Sequence, residues 1–267
     1  MTYSSRGVYL GRDRVLTLTH QGVRLFLDAK DIIITPIVLL NGEWEPETTR
    51  AFQSLLKPGM NYVDIGANIG YFTCLAGRLV RPGGLMWAFE ADPEVCELLT
   101  DNVNLNWFFE GVVIERKAVF DKDTTIKLYK RTKYQGNTSI ARVDEKDLAR
   151  IYDTQEEIEV PAVSLDSYFG KNPPRLDFVK IDIEGAEPYA LNGMSGLVIS
   201  QMGLNICFEW SPNQIRGAGS DPKEVLDFLD KHNFTKYLVS DNLVLISNEQ
   251  LLANVGHGMV YATRSKL

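Results

Sequence analysis

The stretch VDIGANIG, residues 63–70, carries the clearest signal of fold in this sequence. Residues 60–65 form a short apolar run that predicts a buried strand, and residues 69–79 place apolar side chains at helical spacing. Gly66 and Gly70 lie in the turn, and glycine allows a tight turn and close approach of the backbone to a bound group. The stretch therefore predicts a strand, a ligand-holding turn and a helix, in that order.

The composition limits the classes of protein and partner. The chain has 267 residues, of which 45% are hydrophobic, as is ordinary for a protein with a sizeable core. A formal net charge of -7 without a run of lysine and arginine argues against a nucleic-acid partner, because phosphates need a basic face. Cys74, Cys96 and Cys207 are widely spaced in apolar stretches, which argues against a disulfide framework and indicates a reducing cytoplasm.

Two segments bear on membranes and export. The longest apolar run, residues 32–40, contains Thr35 and Pro36 and is too short to span a bilayer. Residues 1–14 lack the apolar region of a signal peptide. We therefore expect no membrane span and a cytoplasmic location, while the oligomeric state stays open, as does whether the chain is a whole protein or one domain of a longer one.

The chain divides into two regions by pattern. Residues 1–58 combine short strands at 15–19 and 23–27 with a helix at 47–56, and we expect an N-terminal extension or cap. Residues 59–267 alternate strands with helices, which predicts an α/β fold with a doubly wound, mostly parallel sheet. Such sheets bind ligands beyond the carboxyl ends of their strands, so the functional residues should lie there.

An acidic residue ends the strand that follows the glycine turn. Glu90 lies 20 residues after Gly70, the distance at which a carboxylate reaches the hydroxyls of a ribose in nucleotide-binding folds. The glycines are spaced GxxxG, unlike the GxGxxG of dinucleotide folds, which argues against a dehydrogenase. Asp64, just before the turn, would repel an anion and attract a cationic group. These residues indicate a nucleoside ligand with an ammonium or sulfonium charge.

At these positions the sequence resembles the class I S-adenosylmethionine methyltransferases, and more narrowly the FkbM family of O-methyltransferases. The matching segments are YVDIGANIGYFT (62–73), AFEADPE (88–94), the helix end at 102–106, KAVFD (117–121), GNTSI (136–140), SLDSYF (164–169) and FVKIDIEGAE (178–187). The resemblance implies a Rossmann-like domain over residues 59–267 with a seven-stranded sheet, and S-adenosyl-L-methionine as its cofactor. None of these segments falls in residues 1–58.

The resemblance also implies which residues surround the cofactor. Glu90 would hold the ribose hydroxyls. The methionine portion would be surrounded by Asp64, Gly66, Ala67, Asn68 and Gly70, and the adenine would lie near Asp92, Asn102 and Ala118.

Residues 180–187, KIDIEGAE, place charge at the end of a predicted central strand. Side chains alternate along a strand, so Lys180, Asp182 and Glu184 share one face. Buried charges are costly unless they pair or serve a ligand, which leaves two interpretations. Either Lys180 forms an internal ion pair beside a helix cap, or Asp182 faces the reacting methyl group while Glu184 or Glu187 positions the acceptor.

Glu209 ends the next strand, in ICFEW, and would stand beside Asp182 if the two strands are neighbours. Adjacent carboxylates can bind Mg²⁺, or raise one another's pKa until one serves as a base. Metal-dependent methyltransferases of the catechol type add an adjacent carboxylate or amide, whereas here Trp210 follows, which weighs against a metal. The catalytic candidates are therefore Lys180, Asp182, Glu184 and Glu209, with Asp182 and Glu209 as the metal candidates.

Two further features border the predicted site. Residues 131–157 are polar and predict either a surface insertion or a mobile substrate lid. Within this segment Tyr134 and residues 137–139 are candidates for contact with the acceptor. His257 is the histidine that we expect nearest the site.

The function that the resemblance implies is an O-methyltransferase acting on a hydroxyl of a sugar, a glycan or a glycosylated natural product. One alternative is an N-methyltransferase, which would need no strong base because a neutral amine is already nucleophilic. Another is a catalytically inactive cofactor-binding module in a larger glycan-building assembly. The presence of Asp64, Glu90 and Asp182 argues against the inactive module.

Overall fold

The computed structural model of the chain describes residues 7–266, apart from the side chains of residues 135 and 254. In chain order the strands are β1 (Val8–Gly11), β2 (Arg14–Leu18), β3 (Arg24–Asp28), β4 (Tyr62–Ile65), β5 (Met86–Phe89), β6 (Val112–Glu115), β7 (Ala118–Val119), β8 (Thr124–Arg131), β9 (Gln155–Val163), β10 (Phe178–Ile181), β11 (Asn205–Trp210), β12 (Thr235–Val239), β13 (Leu243–Leu245) and β14 (Gly258–Thr263). The helices are α1 (Ile34–Asn41), α2 (Pro46–Leu55), α3 (Tyr71–Val80), α4 (Pro93–Leu105), α5 (Glu145–Arg150), α6 (Leu165–Phe169), α7 (Glu187–Asn192), α8 (Ser195–Ser200), α9 (Pro212–Gly217), α10 (Pro222–Lys231) and α11 (Asn248–Asn254), with a 3₁₀ turn at Gln135–Asn137.

The central sheet has the order β13-β12-β14-β11-β10-β4-β5-β6. β4, β5, β6, β10 and β11 pair in parallel, whereas β14 is antiparallel to β11 and β12, and β13 is antiparallel to β12. Every residue of β4 and β10 is buried, because helices cover both faces of a parallel sheet. The predicted α/β fold with a mostly parallel sheet is confirmed, and β13 adds an eighth strand to the seven predicted by forming an edge hairpin with β12.

The glycine turn links β4 to α3 as the sequence predicted. Gly66, Asn68 and Gly70 have φ of 74°, 50° and 86°, in the left-handed region that favours glycine. The N–H groups of Gly66 and Ala67 both donate to Phe89 O at 3.0 Å. The turn is thereby tied to the end of β5, and Glu90 follows directly beside it.

Residues 7–58 form a small antiparallel sheet, β1-β2-β3, followed by α1 and α2. Leu25, Val38 and Phe52 are fully buried and belong to the same apolar cluster as Tyr62 and Leu75 of the main fold. The apolar run at 32–40, interpreted from sequence only with respect to membranes, supplies most of α1. The division of the chain at residue 58 stays a prediction, and the structure shows that both sides of it share one core.

A second small sheet, β7-β9-β8, stands beside the carboxyl ends of the main strands. The polar segment between β8 and β9 contains the 3₁₀ turn and α5, and a buried ion pair joins Arg131 Nε to Asp153 Oδ2 at 2.8 Å. The Ser139 hydroxyl donates to Glu184 O at 2.9 Å, which attaches this segment to the end of β10. Within the described residues, no helix combines the length and apolar character needed to cross a membrane.

Candidate active site

Two adjoining cavities open beside the glycine turn, and together with the solvent at their mouths they enclose about 690 Å³ and about 910 Å³. The cavities meet at a shared wall, which we define as Gly66, Asn68, Gly136, Asp182 and Glu184. The site therefore lies where the carboxyl ends of β4, β5 and β10 meet, the position at which open α/β sheets bind ligands.

The first cavity combines apolar walls with a carboxylate at one end. Glu90 Oε2 accepts a hydrogen bond from Asn68 N, and Glu90 Oε1 accepts one from Asp92 N, each at 2.9 Å. Burial raises the pKa of Glu90 to about 7. The Asp92 side chain caps α4 by accepting from Glu94 N at 2.9 Å. The apolar walls are formed by Phe89, Val95, Ala118, Val119, Phe120, Ile126, Leu128 and Ile140.

The structure places most of the predicted cofactor residues on the cavity walls. Those that line one or both cavities are Gly66, Ala67, Asn68, Glu90, Asp92, Ala118 and Asp182.

Asp64 lies behind the turn. Its side chain is fully buried, Oδ2 accepts from the Thr73 hydroxyl at 2.6 Å, and Oδ1 is 3.8 Å from Lys180 Nζ. Burial raises the pKa of Asp64, and Lys180 and Thr73 partly oppose that shift. Asp64 is not among the described residues that line the two cavities. Its contact with the cofactor stays a prediction, and its observed role is to join β4 to α3.

Gly70 and Asn102 also lie outside both cavity walls in the described part of the chain. Gly70 begins α3, and a Cβ atom there would lie 2.6 Å from Leu99 Cδ1. Asn102 Nδ2 donates to Ile69 O at 2.7 Å and to Phe26 O at 3.0 Å, so the amide joins the turn to β3. Their predicted cofactor contacts remain untested, and the structure gives both residues a packing role.

Lys180 forms the internal ion pair that was one of the two interpretations of KIDIEGAE. Its Nζ atom lies 2.9 Å from Asp182 Oδ2, and the side chain is only 2% exposed. Burial lowers the pKa of Lys180, but Asp182, Asp64 and Glu45 outweigh that effect and raise it overall. Asp182 is partly exposed and lines both cavities. The ion pair therefore has one member in the core, Lys180, and one in the wall of the site, Asp182.

A group of carboxylates surrounds this pair. Oxygen atoms of Asp182, Glu184 and Glu209 lie within 4.8 Å of one another. Burial, together with the Asp182 charge, raises the pKa of both Glu184 and Glu209 well above the usual range. His257 Nδ1 lies 3.4 Å from Glu209 Oε1, and the Gln214 side-chain amide donates to Glu184 Oε2. The neighbouring strands β10 and β11 thus bring Asp182 and Glu209 together, as the sequence suggested they would if paired.

The three carboxylates offer the type of ligand atom that Mg²⁺ takes, but each of them already has a protein partner. Lys180 holds Asp182, and Gln214 holds Glu184. Trp210 supplies no oxygen ligand, since its indole Nε1 donates to Val255 O at 3.1 Å. A divalent cation would compete with Lys180 and Gln214 for Asp182 and Glu184, so we route no step of the reaction through a metal.

Sequence reasoning missed several residues of the second cavity. Trp44 and Glu45 reach it from the N-terminal region, and Tyr71, Phe72 and Gln214 reach it from helices. The one local signal was the predicted helix at residues 47–56, which placed Glu45 just before a helix without showing which way its side chain points.

Glu187, a candidate for positioning the acceptor, turns inward. Its side chain is fully buried, and its Oε1 atom accepts from Ile183 N at 3.0 Å and from Gly185 N at 3.4 Å. Burial raises the pKa of Glu187 to about 7. The residue holds the turn after β10, which carries Glu184 at φ 55°.

The family model described as the methyltransferase FkbM domain matches residues 64–236 of this chain. The chain belongs to the FkbM methyltransferase family. The resemblance seen in the motifs is confirmed.

Curated relatives of this FkbM-family chain include two fungal proteins. Methyltransferase 1 of Beauveria bassiana (strain ARSEF 2860) is 26% identical over 144 residues, covering 49% of this chain and 57% of that protein. Methyltransferase sdnD of Sordaria araneosa is 27% identical over 176 residues, covering 58% of this chain and 68% of that protein. The chain thus spans little more than half the length of the Beauveria protein. Among solved structures, methyltransferase FkbM from Methylobacillus flagellatus KT aligns with a TM-score of 0.47 and 12% identity over 80% of this chain and 50% of that chain.

Proposed function

We propose that this FkbM-family chain is an S-adenosyl-L-methionine-dependent O-methyltransferase whose acceptor is a hydroxyl of a sugar, a glycan or a glycosylated natural product. One observation carries the proposal. A largely apolar cavity that ends at Glu90 adjoins a second cavity lined by Glu209 and His257, and Asp182 lines both.

The first cavity suits the adenosine part of the cofactor. Its apolar walls offer flat contact to a purine ring, and the ribose hydroxyls can donate to the Glu90 carboxylate, which in its ionised form accepts hydrogen bonds at both oxygens. The methionine part would then pass along Gly66 and Asn68 toward the second cavity. In this arrangement the methyl group lies near Asp182, as predicted from its place at the end of β10.

Methyl transfer forms a bond between the acceptor oxygen and the methyl carbon as the carbon–sulfur bond breaks. The electron pair stays on sulfur, which becomes the neutral thioether of S-adenosylhomocysteine, and the acceptor hydroxyl loses its proton. Holding the reacting atoms aligned can supply roughly 7–11 kcal/mol of the lowering of the barrier. The walls of both cavities therefore contribute mainly by orienting the two reactants.

The Glu209–His257 pair is our candidate for receiving the proton. Glu209 Oε1 lies 3.4 Å from His257 Nδ1, so a His257 ring protonated at Nδ1 would face this oxygen and present Nε2 as a general base. Asp182 remains a candidate for orienting the hydroxyl, with Lys180 holding it in place. A base is needed for a hydroxyl acceptor and not for a neutral amine, which favours O-methylation over N-methylation.

The second cavity suits a hydroxylated acceptor. Glu209 offers a carboxylate oxygen that accepts hydrogen bonds from hydroxyls, while Trp44 and Tyr71 provide aromatic surface. The net charge of -7 argues against a nucleic-acid acceptor. We place the protein in a reducing, cytoplasmic environment because its three cysteines are buried free thiols.

The proposal is tested in two steps. Calorimetric titration should show micromolar binding of S-adenosylmethionine, weakened about tenfold or more by Glu90→Gln. Release of S-adenosylhomocysteine is then measured with a panel of sugars and glycosides, and with matched amines. His257→Gln should lower kcat about 100-fold or more, while His232→Gln, outside both cavities, leaves kcat unchanged. Folded protein that binds no S-adenosylmethionine would refute the proposal, and turnover confined to amines would replace it with N-methylation.

A further inference from the structure

Glu45 connects the N-terminal region to the active site in an unusual backbone conformation. The residue has φ 43° and ψ 75° at the start of α2, directly before Pro46. Non-glycine residues rarely adopt this region and persist there when the surrounding structure holds them, often at functional sites. Here the holding contact is a hydrogen bond from Thr49 N to Glu45 O at 2.8 Å.

The Glu45 side chain lines the second cavity and keeps one carboxylate oxygen without a hydrogen bond to any residue that the structure describes. It lines the second cavity together with Ala67, Asn68, Tyr71 and Phe72, the residues of the glycine turn and the first turn of α3. Its Oε2 atom is buried and has no hydrogen-bond partner among the described residues. A buried carboxylate oxygen without a donor is costly, so a donor from a ligand is the natural complement.

We infer that Glu45 binds the α-ammonium group of the methionine part of S-adenosylmethionine, an inference that rests on the proposed function. The role of attracting the cationic part of the ligand was predicted for Asp64, which the structure places behind the turn. Glu45 presents the same chemistry on the cavity side of the turn. A carboxylate pairs with an ammonium through charge-assisted hydrogen bonds, which are stronger than neutral ones.

The neighbouring carboxylates are less suited to this contact. Asp182 is held by Lys180 at 2.9 Å, and Glu184 is held by Gln214. Glu209 keeps a free oxygen, but it belongs to β11, which is separated from β4 and its turn by β10. Of these four carboxylates, Glu45 is the one that we place beside the glycine turn in the wall of the second cavity.

The position of Glu45 is fixed before any ligand binds. The Thr49 hydroxyl donates to Trp44 O at 2.7 Å and lies 3.1 Å from the Tyr71 hydroxyl, so α2 is joined to α3 beside the turn. A carboxylate preorganised in this way loses little conformational freedom on binding, which favours affinity.

The experiment compares two ligands on three proteins by calorimetry. The ligands are S-adenosylhomocysteine and the analogue that lacks only its amino group. The proteins are wild type, Glu45→Gln and Glu47→Gln, the last removing the same charge from an exposed side chain two positions along α2. Glu45→Gln should weaken the binding of S-adenosylhomocysteine about tenfold or more and leave the affinity for the analogue unchanged. Glu47→Gln should change the affinity for neither ligand.

A second variant separates binding from folding. Glu45→Gly suits the left-handed backbone, so it should be at least as stable as wild type in a thermal melt and still lose the preference for the amino group. If Glu45→Gln weakens both ligands equally, or weakens neither, the ammonium contact is refuted. If the folded wild-type protein binds neither ligand, the proposed function itself fails, and that outcome is distinct from the others.

Discussion

Asn102→Ala tests how the N-terminal region and the cofactor turn are held together. Asn102 is fully buried on α4; Oδ1 accepts from Phe26 N at 2.6 Å, and Nδ2 donates to Phe26 O at 3.0 Å and to Ile69 O at 2.7 Å. One helical turn later, Asn106 repeats the pattern with Arg24 N and Arg24 O at 3.0 Å and 2.7 Å. The two amides thus act as a hydrogen-bonding partner for the free edge of β3.

The expected cost of Asn102→Ala follows from the groups it leaves unpaired. Three backbone groups lose their partner: the Ile69 carbonyl, the Phe26 N–H and the Phe26 carbonyl. The Ile69 carbonyl is the most buried, and we expect the loss of its hydrogen bond to cost about 2 kcal/mol of stability, and the loss at each of the two partly buried groups of Phe26 to cost about 1 kcal/mol. The sum is about 4 kcal/mol, a large share of the roughly 5–15 kcal/mol that stabilises a typical domain. Asn106→Ala exposes the backbone of Arg24 to water, which replaces the lost bonds, so we expect about 1 kcal/mol or less.

Urea unfolding followed by far-UV circular dichroism measures both variants. We also expect Asn102→Ala to weaken S-adenosylmethionine in calorimetry, because Ile69 belongs to the turn even though the Asn102 side chain lines neither cavity in the described chain. If the free energies of unfolding of the two alanine variants differ by less than about 1 kcal/mol, the buried hydrogen bonds of Asn102 do not hold the N-terminal region and the turn together as described.

Three further predictions concern the turn, pH and metal. Gly66→Ala puts a Cβ atom 1.9 Å from Asp182 O at φ 74°, so it should weaken S-adenosylmethionine about 100-fold or more in calorimetry. Gly59→Ala, at φ 85° with no described atom within 4 Å, should lower stability by about 1–2 kcal/mol and leave affinity unchanged. Burial raises the pKa of Glu90 from 4.5 to about 7. Between these two pH values the folded, ligand-free protein keeps a proton on Glu90 that the unfolded chain has released. The stability of the ligand-free protein therefore falls as the pH rises from 4.5 to about 7. Glu90→Gln should therefore match wild type in urea unfolding at about pH 5 and exceed it by about 1–3 kcal/mol at about pH 8, and equal curves at both pH values would contradict this. EDTA should change the rate of methyl transfer by less than about twofold, because Lys180 already neutralises Asp182, and a loss that Mg²⁺ restores would overturn that expectation.

The sequence by itself determined the features that depend on near neighbours. β4, the glycine turn and α3 were predicted because side-chain period and glycine backbone freedom act over a few residues. Asp92-Pro93 and Asp221-Pro222 stand at the starts of α4 and α10, where an aspartate cap and a proline in the first turn satisfy the end of a helix locally. Glu90 was found because its distance from the turn is fixed by one intervening helix.

Only the tertiary structure decided which carboxylates face the ligand. Asp64 and Glu45 are both acidic residues at the end of a strand or the start of a helix, yet one is paired behind the turn and the other opens into the cavity. The same holds for Asn102, whose three partners lie on β3 and on the turn, far from it in sequence. Whether a polar side chain pairs inside or stays free for a ligand depends on which distant segments pack against it, and that packing is set by burial summed over the whole chain.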